Sequence, residues 1–125
     1  KTLRLCDLPG YGFAKVSKSE RQAWSTMIDN YLTKRHTLKV VVSIVDAEVG
    51  PTADDVEMLD FLQEKPPRIL VVATKLDRLG KAARKPRLQK IQQQLELPDG
   101  TVLGFSSHEK LGHDELWGTL LSIAG

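Results

Sequence analysis

The chain predicts an α/β fold: a parallel sheet with helices on both faces, built from a strand–helix unit repeated four times. Three observations carry this. Ile69–Ala73 (ILVVA) is an unbroken, β-branched-rich apolar run, as in a strand covered on both faces, and Lys39–Val45 (KVVVSIV) reads as a second buried strand. Between such runs, apolar residues recur at three- and four-residue spacing, as on one face of a helix. Two of those helical segments open on a capping pattern, Ser17 with Glu20 and Thr52 with Asp55.

Taken in order, Thr2–Cys6 alternates weakly and is expected as a first strand, with Asp7-Leu8-Pro9-Gly10 at its carboxyl end. Cys6 is expected there as a small buried apolar residue. Ser17–Arg35 is the first helix, with Trp24, Met27, Ile28, Tyr31 and Leu32 as its core-facing stripe. Lys39–Val45 is the second strand, expected buried, followed by Asp46-Ala47 and a loop through Gly50-Pro51. The helix opened by Thr52 turns Val56, Leu59 and Leu62 inward and stops at Pro66-Pro67. Arg68–Asp77 (RILVVATKLD) is a buried strand ending in polar residues. Leu79–Leu97 carries a helix with Leu88, Ile91 and Leu95 as its ridge. Pro86 stands in its first turn or divides a short lead-in from the main helix. After a turn at Asp99-Gly100, Thr101–Phe105 is the fourth strand, ending in Ser106-Ser107. Asp114–Ala124 closes the chain as a helix capped by His113 or Asp114, with Leu116, Trp117, Leu120, Leu121 and Ile123 inward.

A length of 125 residues, 41% of them hydrophobic and 27% charged, suits one domain with its own core. A net charge of +2 forces neither a nucleic-acid nor a membrane partner. The single Cys6 cannot form an internal disulfide and lies in no metal-ligand spacing, so a reducing, cytoplasmic setting fits. No apolar run spans a bilayer and no signal peptide is recognised. His36, His108 and His113 share no acid or nucleophile by spacing and are expected at the surface. Between Arg78 and Lys90 stand Arg78, Lys81, Arg84, Lys85, Arg87 and Lys90 with no acidic residue. That run reads as a solvated basic face or as a contact to RNA phosphates.

In open α/β sheets ligands sit at the carboxyl ends of the strands, which is where Thr74-Lys75-Leu76-Asp77 falls. A carboxylate such as Asp77 accepts two parallel hydrogen bonds from a donor–donor edge. Guanine offers that edge through its ring N–H and exocyclic amine; adenine does not. The aliphatic stem of Lys75 can lie against the face of the base. Alone, TKLD is a short string that fits an N-cap with a surface charge better than a guanine site.

Three strand ends carry polar motifs in one order: DLPG at 7–10, TKLD at 74–77 and FSS at 105–107. In that order they resemble the signature of P-loop GTPases. The resemblance implies that Asp7, Leu8, Pro9 and Gly10 meet the γ-phosphate and Mg²⁺, Asp7 through a metal-bound water. It implies that Thr74, Lys75, Leu76 and Asp77 select guanine, with Phe105 and the backbone amides of Ser106 and Ser107 completing the base site. The longer strings DLPGYGFAKVSK (Asp7–Lys18), VDAEVGPTADDVEML (Val45–Leu59) and TKLDRL closely resemble the EngB (YihA/YsxC-type) family of GTPases over essentially the whole chain.

That resemblance implies an incomplete P-loop GTPase-like parallel sheet and one partial G domain over 1–125, from the DxxG strand to the closing helix. It implies GTP or GDP and Mg²⁺ as ligands and a cytoplasmic switch in assembly of the large ribosomal subunit, linked to septation. Tyr11 stands where Ras-like proteins keep a water-orienting Gln, so slow hydrolysis is expected and no catalytic base is assigned. His108-Glu109-Lys110-Leu111-Gly112 replaces a small, Gly-rich stretch of relatives.

No G-x-x-x-x-G-K-[ST] occurs in the 125 residues, nor the switch threonine that would follow it. Those amides and lysine supply most phosphate binding, so weak nucleotide binding and negligible hydrolysis are expected of this chain. A first strand would normally lie between the DxxG strand and Lys39–Val45. Without it, the two edges are expected to pair directly or through a homodimer, with or without strand exchange. A second reading is a non-catalytic module that contacts RNA through Arg78–Lys90.

Overall fold

The computed structural model describes residues 3–8, 17–65 and 67–124. Its helices are α1 (Lys18–Lys34), α2 (Ala53–Gln63), α3 (Lys81–Gln94) and α4 (His113–Ala124), and its strands β1 (Val40–Asp46), β2 (Arg68–Thr74) and β3 (Val102–Gly104). The sheet is parallel in the order β1-β2-β3, with Val40 opposite Arg68, Asp46 opposite Thr74, and Ala73 opposite Gly104.

Helices cover both faces, as expected. On one, Val41, Val45, Ile69, Val71 and Ala73 pack with Ile28 and Leu32 of α1, Leu59 and Leu62 of α2, and Ile91 of α3. On the other, Leu70 and Leu103 meet Leu116 and Leu120 of α4. The Thr52 capping box closes in both directions: its hydroxyl accepts from Asp55 N and the Asp55 carboxylate accepts from Thr52 N. At Ser17 only the forward bond is present, from Glu20 N.

Several expectations are corrected. Residues 3–8 form no strand, so the described sheet has three strands rather than four. Leu3 and Leu8 are half-buried but Leu5 is exposed, and without a ladder partner the weak alternation cannot hold an extended edge. Cys6 is accordingly exposed, and direct pairing of 3–8 with β1 does not occur. Pro9 and Gly10, with the remainder of the 9–16 segment, lie outside the described residues.

β1 is buried on one face only. Ser43 and Val45 point into the core, while Ile44 is 66% exposed and Val42 is also exposed, because α4 packs against the Val40 end. α3 runs unbroken through Pro86, its sixth residue; the missing N–H costs the bond to the exposed Ala82 carbonyl, which water can satisfy. Trp117 is 49% exposed, on the flank of α4 rather than inward.

Candidate functional site

The parallel register carries the 46–50 loop, the 74–78 turn and the 105–112 loop to the same end of the sheet. There a cavity of about 420 Å³ is lined by Thr74, Lys75, Asp77, Arg78, Phe105, Ser107 and His108. Strand β2 is stopped by Lys75, whose backbone is left-handed (φ 59°, ψ 34°) and starts a single 3₁₀ turn, Leu76–Arg78. Leu76 N donates to Phe105 O (3.1 Å), fastening the two motif segments together. The Leu76 side chain is buried under the site, where a Cβ on Gly104 would come within 2.7 Å of it.

The 105–112 loop is folded around Ser106, which is completely buried. Its amide donates to Leu111 O (3.0 Å) and its carbonyl accepts from Leu111 N (2.9 Å). A Cβ on Gly112 (φ +84°) would strike the Gly104 carbonyl, so this closure requires glycine. The Ser106 hydroxyl accepts from Glu109 N (3.0 Å) and donates to Asp77 Oδ1 (2.7 Å). That hydrogen bond is the main reason the Asp77 carboxyl sits below the usual carboxylate range, with its own backbone N–H, His108 and Arg78 adding to the effect against a desolvation cost.

Across the cavity, Lys75 Nζ lies 3.3 Å from Asp46 Oδ2. Asp46 Oδ1 accepts from Glu48 N (2.8 Å) and Val49 N (3.0 Å). The Val49 amide is the largest cause of its lowered pKa, with Glu48 and Lys75 contributing. Arg87 of α3 secures the same loop from below, donating from Nε to Ala47 O (2.8 Å) and from Nη2 to Glu48 O (2.6 Å). Arg84 is likewise engaged, with Leu79 O and Glu109.

Of the residues singled out in the sequence, the structure brings together Thr74, Lys75, Asp77, Phe105, Ser106 and Ser107, with Leu76 buried beneath them. Ser106 takes part differently than expected: its amide is spent on Leu111, which leaves the Ser107 amide, without a hydrogen bond to any described residue, as the donor beside the cavity. Asp7 is exposed and Leu8 packs on the main core. Sequence reasoning missed Asp46, whose role depends on strand register, and gave no role to His108, which is exposed but lines the cavity. Arg78 also lines it and lies 3.9 Å from Glu48. Among the described residues, no group of three His, Cys, Asp or Glu side chains is placed to hold a metal ion.

No family model matches the sequence. Among curated proteins, the chain is 58% identical over 123 residues to a probable GTP-binding protein EngB of Myxococcus xanthus, covering 98% of this chain and 60% of that protein. It is 45% identical over 119 residues to the EngB of Bacillus subtilis, covering 94% of this chain and 61% of that protein. The chain therefore spans about 60% of the length of such relatives. Among solved structures, a probable GTP-binding protein EngB superposes with a TM-score of 0.74 at 20% identity, over 94% of this chain and 72% of that one. Era, in complex with MgGDPNP and nucleotides 1506–1542 of 16S ribosomal RNA, gives 0.69 at 24% identity, over 94% and 38%. Both structural likenesses concern the fold.

Proposed function

We infer that the chain belongs to the EngB family of GTP-binding proteins and that the cavity at the ends of β2 and β3 holds the guanine base of GTP or GDP. The observation that carries the reading is the Ser106–Asp77 hydrogen bond, which keeps an ionised carboxylate oriented at the cavity wall. Asp77 accepts from the ring N–H and exocyclic amine of guanine, and the Ser107 amide donates to the base carbonyl. The stem of Lys75 covers one face of the base, its ammonium held by Asp46.

Phosphate binding is the weaker half of the site. The 125 residues contain no P-loop motif, and Asp7 is a single exposed carboxylate, too little by itself to fix Mg²⁺. Mg²⁺, when bound, would neutralise phosphate charge. For these 125 residues taken alone we propose weak nucleotide affinity and slow hydrolysis at most. For the whole protein, the family supports a cytoplasmic GTP switch in large ribosomal subunit assembly, linked to septation. The outer edge of β1, which pairs with no strand among the described residues, supports self-association of the chain.

Titration with fluorescent GDP, beside Asp77→Asn tested against GDP and XDP, decides the base assignment. XDP presents a carbonyl where guanine has its amine, and the asparagine amide matches it. The expected result is a switch of preference to XDP by tenfold or so. An unchanged preference for GDP in the variant overturns the reading.

A further inference from the structure

At the opposite end of the sheet, where α1 ends and β1 and β2 begin, lies a second hollow of about 400 Å³. Its floor is Leu32, Leu38 and Pro67, and its rim is Arg35, His36, Lys39 and Arg68. Among the described residues no Asp or Glu lines it, and none of the three fixed cations is in an ion pair with a described residue. The contrast with α3 is direct, since Arg84 and Arg87 there are spent on the protein's own carbonyls and on Glu109. The Arg35 guanidinium is also pre-set, lying 4.4 Å above the centre of the Tyr31 ring.

We propose that this hollow binds an RNA strand through its phosphates. Cations without counter-charges collect phosphates by releasing counterions. The two guanidinium forks match phosphate oxygens in pairs, while a stacked arginine above an apolar floor offers a surface to ribose and base. The α1 dipole accounts for cations at Lys34 and Arg35, but not for Lys39 and Arg68 on the strand ends. The rim side chains are exposed, so a small molecule would stay largely uncovered, whereas a polymer can run across them. Because the Asp77 cavity is at the other end of the sheet, the site does not depend on the guanine reading.

Fluorescence anisotropy with a labelled single-stranded oligouridine, across a series of KCl concentrations, tests the proposal. Lys39→Gln/Arg68→Gln is expected to weaken binding about tenfold or more and to flatten the salt dependence by about 0.7 in log–log slope for each phosphate no longer neutralised. Lys85→Gln/Lys90→Gln on α3, the same change in charge, is expected to stay within about twofold. Lys39→Arg retains binding, and urea midpoints equal to the parent's exclude misfolding. Equal losses in the two double variants, or none in the first, overturn the proposal. So does displacement of the RNA by poly-glutamate or by uridine monophosphate at matched charge concentration, which would mark a carboxylate or mononucleotide site instead.

Discussion

The Ser106 hydroxyl is a relay between two parts of the site: it donates to Asp77 Oδ1 at 2.7 Å and accepts from Glu109 N at 3.0 Å. One buried oxygen therefore orients the carboxylate and closes the loop beside it. Such a group is costly to remove, because it is itself fully buried and both of its partners lose a hydrogen bond with it.

Ser106→Ala is expected to destabilise the protein by about 1–3 kcal/mol, the cost of leaving the Glu109 amide unpaired. It also lets the Asp77 pKa rise toward the ordinary value near 3.9. Urea unfolding measures the first effect and carboxyl-carbon NMR titration the second. An Asp77 that titrates as in the parent would show that Ser106 does not set its charge state. Guanine binding should weaken without a gain in XDP binding, which separates this variant from Asp77→Asn.

The placing of Thr74-Lys75-Leu76-Asp77 beside the cavity is readable from sequence because it follows from strand ends: an apolar run that breaks into those residues has to present them at the end of the sheet. Asp46 was not readable, since its pairing with Lys75 depends on the register that sets Asp46 beside Thr74. The fate of the Ser106 amide was hidden for a similar reason, because it depends on a bridge to Leu111 closed by Gly112. A run of basic residues reveals charge but not its targets, so Arg84 and Arg87 looked equivalent to Lys85 and Lys90. Residues 3–8 show the opposite error: alternation suggested a strand, but a strand exists only where an edge accepts it.

The pH dependence of the 46–50 loop follows from Asp46. Its folded pKa is lowered by the Val49 and Glu48 amides and by Lys75, so it contributes stability above the unfolded value, about 3.9, and loses it as pH falls through the folded pKa. The stability gap between the parent and Asp46→Asn should be widest above about pH 5 and close as pH drops below about 4. Urea midpoints at half-unit pH intervals follow this. A gap that persists unchanged into acid would assign it to side-chain packing rather than to charge.

Arg87 supplies the sharpest division between the structural and the solvated parts of the basic run. It is half-buried and holds two consecutive carbonyls, Ala47 O and Glu48 O, in the loop that carries Asp46. Arg87→Ala should cost about 2 kcal/mol in stability, since hydrogen bonds from a charged donor contribute about 1.5–3 kcal/mol each and water recovers part of the loss. Arg87→Lys should recover little, because an ammonium cannot reproduce the fork. Lys85→Ala, exposed on the same helix, should change stability by less than about 0.5 kcal/mol. Denaturant unfolding of the three variants checks this. Equal effects at positions 85 and 87 would mean that α3 acts through its net charge, and that the loop is held without the arginine clamp.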